Sequence, residues 1–143
     1  MYLFSRSLPR QFNQPVPEMM AQLTPVSSNR NLGGDSPGNF EDVPKSQELG
    51  EADIRDLADA VAAWHFWSPL GICLRRSLLR YHFLRAANVP VVIVFGARLK
   101  SQQEGGGLGG HAWLTLHGQP YFENPGDYEG FAAMYVYPQD VEP

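Results

Sequence analysis

The stretch Ile72-Cys-Leu-Arg-Arg-Ser-Leu-Leu-Arg-Tyr-His-Phe-Leu-Arg-Ala-Ala87, running into Asn88-Val-Pro-Val-Val-Ile-Val-Phe95, decides the fold. In its first part Leu74, Leu78, Leu79, Tyr81, Phe83 and Leu84 spread around a helix and give it a wide apolar face, as a helix at the centre of a domain requires. Asn88 and Pro90 end that helix. Val91 to Phe95 is a near-continuous apolar run of strand length, the pattern of a strand buried on both faces.

Upstream, Ile54, Leu57, Ala58, Val61 and Trp64 recur at helical spacing between Glu51 and Trp67. Glu51 and Asp53 suit the positive end of that helix's dipole, and Ser68-Pro-Leu-Gly71 breaks it. Downstream, residues 99 to 110 hold five glycines and read as a mobile loop. His111 to Leu116 alternates, His117-Gly118 turns, and Gln119 to Phe122 returns, which is a hairpin. Phe131 to Tyr137 adds a further strand. Helices followed by strands give an α+β fold, with the N-terminal helices packed on an antiparallel sheet.

The chain has 143 residues, enough for one domain. Residues 1 to 46 carry Pro9, Pro15, Pro17, Pro25, Pro37 and Pro44 and a Ser/Asn/Gly/Pro stretch from Ser27 to Asn39 with little to bury. They read as a flexible arm with a short docked piece around Met19 to Leu23. Residues 47–143 form the folded domain. No internal repeat is visible.

A net charge of −4 excludes bulk nucleic-acid binding, which needs a positive field. Charge is uneven, with six basic and no acidic residues from Arg75 to Lys100, and acidic but no basic residues after Lys100. The first reading of the basic segment is a solvated helix face; the alternative is a surface for an acidic peptide. No apolar run approaches the roughly 18 residues that span a bilayer, and the start lacks a secretory pattern. A cytoplasmic location follows as the expectation.

The single cysteine excludes an intrachain disulfide and makes Cys73 a candidate nucleophile. It falls at the start of the central helix, where free N–H groups and the dipole favour a thiolate, with Arg75 and Arg76 close by. His111 opens a strand after a glycine-rich loop and shares one strand face with Trp113 and Thr115, while Ala112, Leu114 and Leu116 take the core face. Trp113 is then a candidate substrate-binding wall. His65, His82 and His117 read as structural.

The segments Cys73-Leu-Arg-Arg-Ser-Leu78, Leu84-Arg-Ala-Ala-Asn-Val-Pro-Val-Val-Ile-Val-Phe-Gly-Ala-Arg98 and Gly110-His-Ala-Trp113 together resemble the lasso peptide biosynthesis B2 proteins. These are leader peptidases with a papain-like, transglutaminase-like core. The likeness covers roughly residues 51 to 134. It implies a cysteine peptidase with a Cys-His-acid triad and no cofactor or metal. Its substrate would be a lasso precursor peptide, whose leader it removes. Its partners would be a separate leader-recognition protein and an ATP-dependent lasso cyclase. The same nucleophile could instead run acyl transfer to an amine, and a non-catalytic peptide-binding module is the third alternative.

Cys73 maps to the nucleophile, His111 to the base and Glu123 to the acid. Thr115 stands where the family often has Glu, and Glu123 beside Asn124 stands where it commonly has Asp. Hairpin register bears on the third member. A three-residue loop Leu116-His117-Gly118 pairs Thr115 with Gln119 and sets Glu123 opposite His111. A two-residue loop His117-Gly118 sets Asn124 there instead. Glu123 is the expected member, with Asn124 the alternative and Asp127 behind both.

Overall fold

The computed structural model describes residues 1–25, 50–64 and 67–139. The element order is α1 (Tyr2–Gln11), α2 (Val16–Leu23), α3 (Glu51–Trp64), α4 (Ile72–Ala86), β1 (Val92–Leu99), β2 (Leu108–Leu116), β3 (Gln119–Pro120), α5 (Pro125–Tyr128) and β4 (Ala132–Tyr137). The strands form one antiparallel sheet in the order β3-β2-β1-β4. The fold is α+β.

Helix α4 is the axis. Its apolar residues Leu78, Tyr81 and Leu84 are fully buried against Ile93 of β1 and Leu114 of β2, while Leu79 packs on Ala58 and Ala62 of α3. Small residues one turn apart let α3 lie close to α4. The polar Arg75, Ser77 and Arg80 of α4 are buried as well, because elements cover the helix on all sides. It ends in a Schellman motif: Asn88 is left-handed (φ 63°), its N–H donates to Arg85 O, and the Val89 N–H donates to Leu84 O. That closure aims the chain into β1.

The N-terminus departs from the expected arm. Residues 2–23 form two helices, and Leu8, Met19, Met20 and Leu23 enter the main core. The docked piece around Met19 to Leu23 lies in α2. Pro17 stands in the first turn of α2, where its missing N–H costs nothing. Thr24 hydrogen-bonds the Tyr81 hydroxyl, and the His82 ring pairs with Leu23 O. The remainder of the expected arm, the expected structural role of His65 and the last residues of the domain lie outside the described residues.

Two loop expectations also change. Lys100 to Gly107 is a built turn, with a 3-10 segment closed by a Ser101/Glu104 capping box and an Arg98–Glu104 ion pair. These bonds hold the Glu104 carboxyl at about 2, below the usual carboxylate range, chiefly through Arg98. The β1–β2 ladder therefore continues to Leu99↔Leu108. The β2–β3 hairpin pairs Leu116 with Gln119 across the two-residue loop His117-Gly118, not the three-residue loop. His117 (φ 51°) and Gly118 (φ 74°) are both left-handed, as a type I′ turn requires.

Candidate active site

Gly71 caps α4 and offers no side-chain acceptor, so the first-turn N–H groups, including that of Cys73, have no capping side chain. Cys73 is the second residue of the helix and is half-buried. One turn on, the Ser77 hydroxyl donates to Ala112 O at 2.7 Å. This bond fastens α4 to β2 one helical turn from Cys73 and one residue from His111. Gly71, Cys73, Leu74, Phe95, Gly110 and His111 then line one cavity of about 260 Å³.

His111 lies opposite Gly96 in the ladder. Its ring stacks on Trp113 (centroids 5.9 Å apart) and lies 5.4 Å from Phe131, and Trp113 stacks in turn on Tyr128 of α5. Gly96 makes that stack possible, since a Cβ there would lie 2.5 Å from the Trp113 ring. Trp113 is only 7% exposed and does not line the cavity; it backs the imidazole. Burial, and then the Arg76 guanidinium, pull the His111 pKa below the usual histidine range, while Asp127 pulls the other way. His111 Nε2 is buried with no hydrogen-bond partner. Sγ and the imidazole are not hydrogen-bonded to each other among the described residues.

The three candidates for the acid separate clearly. The Glu123 side chain is fully buried between two arginines, with Arg76 at 2.9 Å and Arg80 at 3.5 Å. Arg80 is itself gripped by Asp59 of α3 at 2.6 Å. Burial, outweighing the two arginines, raises the Glu123 pKa. Asn124 is exposed; it caps α5 and donates to Asp127 at 3.5 Å. Asp127 is the carboxylate whose charge bears on His111. Neither expected ladder partner reaches His111 through strand pairing, because β3 stops at Pro120 and Phe122 turns left-handed (φ 50°).

Ser77, Gly96 and Phe131 build this site without having been foreseen, whereas Arg76 was expected close to Cys73. Ser77 recurs one helical turn after the cysteine, which was the available signal. Gly96 and Phe131 act through tertiary approach and left none. Among the described residues, no helix is long and apolar enough to cross a membrane, and no group of three or more His, Cys, Asp or Glu is gathered to hold a metal.

Comparison with known proteins agrees with this architecture. No curated protein and no solved structure matches the chain. The profile of the transglutaminase-like superfamily matches residues 31–136, which include Cys73, His111 and all three acid candidates. The chain belongs to the transglutaminase-like superfamily.

Proposed function

We propose that this protein is a cysteine peptidase that removes the leader from a lasso precursor peptide. The observation that carries the chemistry is the cavity shared by Cys73, at an uncapped helix start, and His111. The resemblance to the B2 leader peptidases carries the substrate. Burial, and then Arg76, lower the His111 pKa and so favour the neutral imidazole. His111 therefore starts as a proton acceptor. On substrate binding it takes the Cys73 thiol proton as sulfur attacks the scissile carbonyl, a contact that commonly forms only in the complex. The Cys73 N–H receives the developing oxyanion. The imidazolium then protonates the leaving amine, and water, deprotonated by His111, releases the acyl group. Asp127 favours the imidazolium in each half-reaction, and Glu123 holds Arg76 and Arg80 in place.

The test is mass spectrometry of a candidate precursor incubated with this protein and a leader-recognition protein. Cleavage at one position, lost in Cys73→Ala and His111→Ala, is the expected result. An intact precursor with every partner present would refute the peptidase reading. Membership of the transglutaminase-like superfamily favours acyl transfer as the second reading, which predicts incorporation of an added amine at the same cysteine.

A further inference from the structure

Beside the cavity lies a second, larger concavity of about 680 Å³, in which apolar side chains stand together with the charged Arg98 and Glu129. Leu99, Leu108 and Met134 all line it, although they are 81%, 70% and 70% exposed. Ala97, Phe131 and Ala132 complete its apolar wall. Large apolar side chains left in water singly need no explanation, but three sharing one groove mark a binding surface. Met134 comes here through a bulge: Phe95 pairs with Tyr135 and Gly96 with Ala133, so Met134 has no partner on β1. Such bulges re-aim side chains, often beside active sites, and a methionine adapts to varied apolar shapes. Arg98 lies on the rim over the Phe131 ring at 5.1 Å and is paired with Glu104, so its charge is met from within the protein.

The groove adjoins the candidate active site. Along β1 the cavity takes Phe95 and Gly96, and the groove begins at Ala97. Along β2 the groove takes Leu108, and the cavity begins at Gly110. Phe131 serves both, lining the groove while its ring lies against His111. We infer that this groove is a specificity subsite of the same enzyme, which takes one large apolar side chain of the peptide substrate about three residues from the scissile bond. The inference rests on the peptidase reading above. The spacing is the axial one along β2: Leu108 and His111 are three residues apart, about 10 Å at roughly 3.3 Å per residue, with their side chains on opposite faces, and an extended peptide covers that length in three residues. The groove's size is that of a ligand site.

The experiment uses twelve-residue Ser/Gly peptides with a central acrylamide-bearing residue, in which one leucine is walked from the fifth position before it to the fifth after it. Alkylation of Cys73 in the full chain is timed by intact-protein mass. Burying the leucine is expected to speed alkylation about tenfold at one position, three residues from the electrophile to within one. Leu108→Glu and Met134→Glu should each bring the leucine peptide to the rate of the leucine-free peptide on the same variant. Leu3→Glu, an exposed site off the groove, should keep the preference. A flat profile, or a preference that survives both groove variants, overturns the inference. So does a self-association that Leu108→Glu abolishes without changing the profile, which would assign the groove to a second copy. Iodoacetamide separates the two levels: labelling of Cys73 with a flat peptide profile sinks the subsite alone, whereas a Cys73 labelled no faster in wild type than in His111→Ala sinks the cysteine–histidine site beneath it.

Discussion

Glu123 and Asp127 lie four residues apart and stand in different surroundings. Two arginines hold the first in the interior, and the second is exposed with its charge felt at His111. The proposed mechanism needs neutral His111 at the start, so the acid limb of the rate profile reports the His111 pKa. Asp127 raises that pKa; Asp127→Asn therefore moves the acid limb to lower pH. Loss of the charge that favours the imidazolium also lowers the plateau, by about tenfold. Glu123→Gln leaves the plateau within about twofold, since Glu123 acts on the arginines and not on the imidazole. Initial rates of peptide cleavage between pH 5 and 9 separate the two. A plateau lost in Glu123→Gln and kept in Asp127→Asn would return Glu123 to the triad.

At the scale of elements, α2 carries a sharp expectation because it holds the piece around Met19 to Leu23 that the sequence marked as docked within a proline-rich segment. Leu23 is 1% exposed and sits in the core with Met19, Met20 and Tyr81. Leu23→Ala should cost about 2–4 kcal/mol, read as a lower urea midpoint with an unchanged slope. A change below about 0.5 kcal/mol would mean that the segment is only loosely attached. What was legible in the sequence was whatever rests on periodicity and local capping. The boundaries of α4 followed from its apolar spread and from Asn88, β1 and β4 from apolar runs, and β2 from alternation, though it starts at Leu108 inside the expected loop. What was not legible rests on geometry that spacing does not encode. Pro9, Pro15 and Pro17 read as breaks, yet Pro17 opens a helix at no hydrogen-bond cost. Glycines 105 to 107 read as mobility, yet the Ser101/Glu104 box and the Arg98 pair close that turn. His117 adopts a left-handed conformation that made the hairpin loop two residues long. The placement of Cys73 at a helix start and of His111 on an alternating strand was readable, and the two line one cavity. The surroundings of Glu123, Asn124 and Asp127 were not, because they depend on where β3 gives way to α5.

Across the whole molecule, one charged chain joins the layers: Asp59 of α3, Arg80 and Arg76 of α4, and Glu123 between β3 and α5. Burial raises the Glu123 pKa despite both arginines, so the folded protein holds this proton more tightly than the unfolded chain does. The sign follows. Above its folded pKa an ionised Glu123 weighs against folding, and that penalty fades as pH falls through the folded pKa toward the ordinary value of about 4.3. Glutamine keeps the shape and omits the charge, Arg80 keeps its paired contacts with Asp59, and Arg76 is 27% exposed and open to water. Glu123→Gln should therefore be at least as stable as wild type at pH 7, with an advantage that shrinks toward pH 4. Glu123→Ala lacks both the packing and the acceptor, and should lose about 2–4 kcal/mol at pH 7. Urea unfolding of the three proteins from pH 4 to 8 decides the matter. A Gln variant that is less stable at pH 7 and recovers as pH falls would show that the arginine pairs outweigh burial, making Glu123 a net stabilising ion pair of the fold.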